Sequence, residues 1–350
     1  MKHGILLINL GTPDAPTTGA VRTYLRQFLN DPRVVDIHPL GRWLLLNLII
    51  LPFRPAKSAA AYQQIWSKEH GSPLLHYGQV LRDKVQKRLK PEVSVALGMR
   101  YGNPSIASAL QHLQSQGCDS LQVIPLFPQY SSAATGSAIA ETMRLIQESW
   151  DISDVFFHSD FHAHLAFIDA VVKTSTPHIE DFKPDHLLFS YHGVPERHVK
   201  KSDDPKKIEC SLQGPCPKLS DGNRFCYRAQ CYASTEAIAK GLNLESNEYS
   251  VSFQSRLGRT PWIKPYTDLV LPELKAKGFK KLALISPSFV ADCLETLEEI
   301  GIRTKEQWLE LGGEDLRLIP CLNAEDTWAD ALVTILQEKT SVPLTVETEK

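Results

Sequence analysis

The sequence predicts an α/β protein of two Rossmann-like domains, each a parallel sheet flanked by helices. Three observations carry that expectation. Short apolar runs alternate with amphipathic stretches, the alternation occurs twice, and polar clusters follow the apolar runs where strands of such a sheet would end. A chain of 350 residues is long enough for two domains that each bury a core.

The elements follow in chain order. Gly4 to Asn9 reads as a buried first strand, Val21 to Leu29 as a helix and Val93 to Met99 as the next strand. Pro104 then opens a helix with Ile106, Leu110 and Leu113 on one face, the stripe a helix needs to bury itself. Leu121 to Phe127 is a third strand and Ser137 to Glu148 a further helix. Beyond a boundary near residue 150 the same logic repeats. Strands are expected at Asp154 to His158, His186 to Tyr191, Tyr249 to Gln254, Lys281 to Ser286 and Leu316 to Pro320. Helices are expected at His164 to Lys173, Ala233 to Leu242, Leu269 to Lys277, Leu294 to Ile300 and Thr327 to Gln337. The expected domains are thus 1–150 and 151–338, with 339–350 a loose polar tail.

Trp43 to Phe53 (WLLLNLIILPF) is the strongest apolar stretch and is too short by itself to span a bilayer. It reads either as a buried core helix or, within a lip over 41–57, as a surface that meets a membrane or a flat apolar ligand. The start of the chain reads as a buried first strand rather than a secretion signal, so a cytoplasmic location is expected. Apolar residues at 43% and charged residues at 22% are ordinary for a globular protein, and a net charge of -2 gives no reason to expect a nucleic acid partner. Neither GxGxxG nor GxxxxGK[ST] occurs, so no dinucleotide or P-loop phosphate site is supported.

Four constellations stand out. His192 ends an apolar strand before Gly193, and an imidazole titrating near neutrality beyond a strand tip suits proton transfer. Asp292, Glu295 and Glu299 share one face at helical spacing, a line of carboxylates suited to a proton relay or a passing cation. Trp262 and Phe289 are candidates to line a flat apolar cleft. Finally, Cys210, Cys216, Cys226 and Cys231 fall within a Gly-, Pro- and polar-rich insertion over 205–231, which would gain order from a metal. Four thiolates fit tetrahedral Zn2+ or an iron–sulfur cluster, and the spacing is not a CxxC…CxxC zinc pattern.

Six motifs in order then resemble ferrochelatase signatures. They are Leu6-Leu7-Ile8-Asn9-Leu10-Gly11-Thr12-Pro13, Phe127-Pro128-Gln129-Tyr130-Ser131, Phe189-Ser190-Tyr191-His192-Gly193-Val194-Pro195, Ser252-Phe253-Gln254-Ser255-Arg256-Leu257-Gly258, Trp262-Ile263-Lys264-Pro265-Tyr266-Thr267-Asp268 and Asp292-Cys293-Leu294-Glu295-Thr296-Leu297. The resemblance implies a chelatase-like pair of domains around a porphyrin cleft and insertion of Fe2+ into protoporphyrin IX. It implies His192 as proton acceptor and Glu295 in metal and proton handling, both meeting the Fe2+ substrate, with Asp292 and Glu299 along the path. It places Leu10, Phe53, Arg54, Tyr130, Ser255, Trp262 and Phe289 at the porphyrin, with Arg54 and Ser255 as propionate partners.

Two departures matter. An insertion with the cysteines replaces a short turn found in many relatives, and some bacterial members resemble this chain in carrying four cysteines there. A 2Fe–2S cluster on Cys210, Cys216, Cys226 and Cys231 is therefore expected, with structural Zn2+ as the alternative. Cys293 stands where many relatives have a histidine, so no metal role is carried to it. The apolar lip favours protoporphyrin over the four-propionate coproporphyrin, and a peripheral place on the inner membrane surface. The competing readings are a coproporphyrin ferrochelatase and a non-catalytic haem or cluster redox sensor. The sequence does not give the oligomeric state.

Overall fold

A computed structural model of the chain describes residues 2–202, 210, 212, 214–256, 258, 260–338 and 344–345. The chain forms two compact units, one built from residues 1–127, 132–160 and 323–350, the other from 128–131 and 161–322.

In the first unit, strand β1 (His3–Thr12) leads through helix α1 (Thr18–Asn30) to a long helical run. That run comprises α2 (Pro39–Leu44), a π-helical segment (Leu45–Ile50) and α3 (Leu51–Ile65). Helix α4 (Pro73–Arg88) precedes β2 (Val93–Gly102), then come α5 (Ile106–Ser115), β3 (Ser120–Pro125), α6 (Ser137–Ile146) and β4 (Asp154–Phe157). All strands are parallel in the order β2-β1-β3-β4. The central β1 is buried along nearly its whole length, as its unbroken apolar run requires when helices cover both faces. Ser105 caps α5, its hydroxyl accepting the Ser108 N–H at 3.1 Å, so this helix begins two residues beyond the expected Pro104 opening.

The second unit repeats the plan. Its helices are α7 (Leu165–Phe182), α8 (Glu196–Ser202), α9 (Tyr227–Gly241), α10 (Thr267–Ala276), α11 (Leu294–Leu297) and α12 (Lys305–Glu310). Its strands are β5 (His186–His192), β6 (Tyr249–Gln254), β7 (Lys281–Ile285) and β8 (Asp315–Leu318), parallel in the order β6-β5-β7-β8. In each sheet the first strand lies between the second and third, so the doubly wound expectation holds for both halves. Leu188, Leu282, Leu284, Leu316 and the fully buried Trp308 form one face of this core.

Three expectations need correction. The strand expected at Asp154 to His158 was assigned to the second half, but β4 pairs with β3 and closes the first sheet. The last helix, α13 (Asp326–Gln337), belongs to the first unit, so the units are not the consecutive halves 1–150 and 151–338. The tail is not loose where it is described: Leu344 is buried, its carbonyl accepts the Lys90 N–H at 2.8 Å, and its own N–H donates to Gln337 Oε1 at 2.7 Å. The rest of 339–350, and 205–209, 211 and 213 of the insertion, lie outside the described residues.

The apolar lip also departs from expectation. It is part of a continuous helical run, Pro39–Ile65, whose 27 residues are long and apolar enough to cross a membrane by length and composition. The flanking turns extend a stretch that is too short when read from Trp43 to Phe53 alone. The buried-core alternative is overturned, because Leu40, Trp43, Leu44, Leu48, Ile49 and Phe53 are all exposed, Phe53 at 77%. Only Leu46, Leu51, Pro55, Ala59 and Tyr62 turn inward.

Candidate active site at the tip of the central strand

His192 is the last residue of β5, the central strand of the second sheet, and is half-buried. Pairing with β6 runs to His192 opposite Gln254, and the next N–H, of Gly193, donates to the Gln254 carbonyl at 2.8 Å. A Cβ on Gly193 would stand 2.8 Å from that carbonyl oxygen and 3.2 Å from the Trp262 ring. Only glycine lets the chain turn this close to both. The imidazole Nδ1 lies 2.6 Å from the Gly193 carbonyl oxygen. A carbonyl only accepts, so Nδ1 carries the hydrogen in the neutral ring and Nε2 is left as the basic nitrogen. Trp262 and Phe289 flank the imidazole, with ring centroids at 6.4 and 6.2 Å. The two aromatics and the histidine that the sequence singled out therefore do come together.

The other end of the same strand shows what a structural histidine looks like. His186 is buried, stacks on Phe279 at 4.6 Å and has Nε2 2.9 Å from Ser250 Oγ. Burial first, then the charge of Lys277, pushes its pKa down to about 4.

Carboxylates reach the site from α11 and the π-helical segment Glu299–Thr304 that continues it. Ser255 presents both its backbone N–H (2.9 Å) and its hydroxyl (2.6 Å) to the two Glu299 carboxylate oxygens. It does so from a left-handed conformation, φ 65°, a strained state for a residue with a side chain. Burial raises the Glu299 pKa above the ordinary carboxylate value, and nearby Glu295 adds to that. The Ser255 hydrogen bond and the charges of His192 and Arg303 oppose it. Gln254 joins this helix to the strands: its side chain accepts from Ser190 Oγ at 2.8 Å and donates to the Glu295 carbonyl at 2.8 Å.

The carboxylate line is shorter than the sequence implies. Asp292 precedes the helix cap Cys293, is buried, and accepts from Thr296 Oγ1 at 3.0 Å and from the Cys321 N–H at 3.5 Å. It is therefore spent on holding the helix start and does not share a face with Glu295 and Glu299, because α-helical spacing does not extend back to it. Ser255 likewise has its single O–H committed to Glu299, so donation to a propionate would first have to break that bond. Tyr130 packs against Phe225 at 4.9 Å, and its backbone N–H donates to Gln230. In the first unit, Leu10 is half-buried near the end of β1, while Phe53 and Arg54 are exposed on α3. Two residues hold His192 itself: Ser288, in a polar run at a strand tip, accepts its N–H on Oγ at 3.1 Å, and Tyr227, which the sequence reading missed, donates its hydroxyl to the His192 carbonyl at 2.8 Å. No periodicity marks either one.

At the strand tips of the first sheet, Asp31 is buried with Arg100 (2.7 Å), the Tyr101 hydroxyl (2.9 Å) and Ser137 as partners. Burial opposes its ionisation, but the hydrogen bonds from Ser137, the Arg33 N–H and Tyr101, with the charge of Arg100, hold its pKa below the usual value. The polar run Arg100-Tyr101 was legible in the sequence; its buried partner Asp31 was not.

Cys226 and Cys231 are buried and Cys210 and Cys216 half-buried. Burial pushes the Cys231 thiol well up, with Cys226 and Cys216 near enough to add to the effect. Among the described residues no three His, Cys, Asp or Glu side chains stand together as a metal site. Beside these thiols Arg228 is buried, with Nε and Nη1 lacking a hydrogen-bond partner among the described residues.

Comparison with known proteins adds the following. The ferrochelatase family model matches residues 2–340. A ferrochelatase of Coxiella burnetii (strain Dugway 5J108-111) is 51% identical over 338 residues, covering 96% of this chain and 94% of the relative. One from Legionella pneumophila (strain Lens) is 51% identical over 341 residues, covering 97% and 100%. Among solved structures, the sirohydrochlorin chelatase SirB from Bacillus subtilis subspecies spizizenii, in complex with cobalt, superposes with a TM-score of 0.54 at 11% identity, covering 97% of this chain and 95% of that one. SirB from Bacillus subtilis with Fe3+ gives 0.53 at 12% identity, covering 97% and 96%. At such identities these two show the shared two-domain α/β fold.

Proposed function

The chain belongs to the ferrochelatase family, enzymes that insert metal into porphyrin in haem biosynthesis, and from that premise we propose that His192 is the base of the reaction and that Glu295 and Glu299 handle the protons and the incoming Fe2+. The observation that carries this is the hydrogen bond from Nδ1 to the Gly193 carbonyl, which leaves Nε2 as the acceptor beside two aromatic rings. Insertion of Fe2+ removes two pyrrole N–H protons and leaves a neutral macrocycle core. Trp262 and Phe289 offer flat apolar surface for the ring, and Nε2 takes a proton from the ring face. Glu299, whose pKa is raised by burial, can hold a proton above the usual carboxylate range and pass it toward solvent. Anaerobic turnover of protoporphyrin IX with Fe2+ tests this reading. His192→Ala should lower kcat about 10²- to 10⁴-fold while porphyrin still binds, and an active His192→Ala enzyme would overturn the assignment.

Protoporphyrin IX is the proposed substrate, and the cytoplasmic face of the inner membrane the proposed location, because the exposed Leu40, Trp43, Leu48, Ile49 and Phe53 suit an apolar ring edge and a lipid surface. Tighter kcat/KM for coproporphyrin would reverse the substrate choice.

The cysteines carry a second proposal, a 2Fe–2S cluster on Cys210, Cys216, Cys226 and Cys231, with structural Zn2+ as the alternative. Arg228 supports it: a buried guanidinium with unsatisfied N–H groups calls for a nearby negative charge, which thiolate ligation would supply. Among the described residues no three of these side chains form a group that could hold a metal, so binding would have to bring the ligands into place. When bound, the cluster would supply a one-electron acceptor. Iron with acid-labile sulfide and visible absorption in the purified protein is the expected result; colourless protein with stoichiometric zinc would overturn it.

A further inference from the structure

The imidazole of His192 is only as well placed as the backbone that carries it. Successive residues of a strand direct their N–H and C=O to opposite neighbours. Gly193 points toward β6, so His192 points toward β7, yet pairing with β7 stops at Phe189 opposite Ile285. Both polar backbone groups of His192 therefore face a side where the sheet has ended. Two side chains take the place of the missing strand: Ser288 Oγ accepts the N–H at 3.1 Å, and the Tyr227 hydroxyl donates to the carbonyl at 2.8 Å. Tyr227 is buried as the first residue of α9, Cys226 caps this helix, and Cys231 follows one turn later. The cysteine-rich segment and the strand carrying His192 thus meet at one phenolic oxygen.

We propose that Tyr227 is a positioning residue, its hydroxyl fixing the backbone of His192 and coupling the place of the imidazole to the turn of α9 that carries Cys231. The proposal rests on the reading of His192 as the base. Removing the hydroxyl leaves a buried carbonyl unsatisfied and frees the strand end to shift, and a displacement near 1 Å suffices to slow catalysis severely.

The test uses the full-length enzyme with protoporphyrin IX and Fe2+, comparing Tyr227→Phe, His192→Ala, Cys231→Ala and the Tyr227→Phe/Cys231→Ala double variant. Tyr227→Phe should lower kcat about tenfold, with KM for porphyrin and the porphyrin Kd from fluorescence quenching changed less than about twofold. Cys231→Ala should lower kcat in the parent enzyme and have no further effect in the Tyr227→Phe background. An unchanged kcat in Tyr227→Phe beside an inactive His192→Ala overturns the positioning role alone. An equal effect of Cys231→Ala in both backgrounds overturns the coupling to that turn. Turnover by His192→Ala overturns the base reading, and the positioning role with it. Should Tyr227→Phe fail to fold, Ser288→Ala takes its place, with the same loss of kcat at constant KM expected and an unchanged kcat overturning the proposal.

Discussion

Glu299 binds its proton more tightly in the folded protein than an exposed glutamate would, because burial disfavours the carboxylate more than Ser255, His192 and Arg303 restore it. A group with a raised folded pKa stabilises the fold fully below its unfolded value and loses that contribution as pH rises through the folded one. Glu299→Gln should therefore raise the melting temperature by about 2–4 °C at pH 7–8 and by much less near pH 4. A melting temperature that rises equally at both pH values would show that burial is not the cause. The same substitution removes the proposed proton carrier, so kcat should fall while stability improves, a pattern that a purely structural carboxylate would not give. At this scale the sequence was informative about His192, Trp262, Phe289 and Glu295, whose residue types and positions in motifs mark them. It was silent about Tyr227 and Asp31, because each matters through a partner distant along the chain.

Among the elements, the helical run Pro39–Ile65 presents two different faces. Leu46, Leu51, Ala59 and Tyr62 are packed inward, while Leu48, Ile49 and Phe53 project outward with no cover among the described residues. Replacing Leu48 and Ile49 by Asp removes apolar area from the outer face only. Binding to anionic phospholipid vesicles should fall at least about tenfold, at about 1.4 kcal/mol or more for two apolar side chains, with the melting temperature nearly unchanged. Vesicle binding that persists would refute a lipid-facing role. The sequence could not choose between core and surface for this run, since apolarity alone is common to both; only the neighbours present or missing around it decide. The carboxylate line failed for a related reason. Reading Asp292, Glu295 and Glu299 as one face assumes a uniform α-helix, whereas α11 has four residues and continues as a π-helical segment. Helix α4 was overlooked because Gly78 interrupts its apolar stripe of Leu74, Leu81 and Val85, and that glycine is where Leu97 of β2 packs.

For the molecule as a whole, the return of α13 to the first unit changes what a C-terminal substitution should damage. Gln122 on β3 donates to the Leu336 carbonyl at 2.9 Å, and Arg88 on α4 pairs with Asp326 (2.9 Å) and Asp330 (2.6 Å). Leu336 is completely buried. Leu336→Ala should cost about 2–5 kcal/mol. Hydrogen exchange should show the loss of protection in α4 and β3, with β5 and β7 spared; the reverse distribution would contradict the assignment of α13. What the sequence by itself determined was the alternation of strand and helix, the repetition of that plan and the family to which the chain belongs. Hydrophobic period and residue type are local properties, written within a few positions of one another. Only the tertiary structure decided that β4 and α13 complete the first unit, that Asp292 is spent on a helix start, and that Tyr227 grips His192. Each of those depends on which distant groups meet, and burial and hydrogen bonding are settled by that meeting rather than by any stretch of chain read alone.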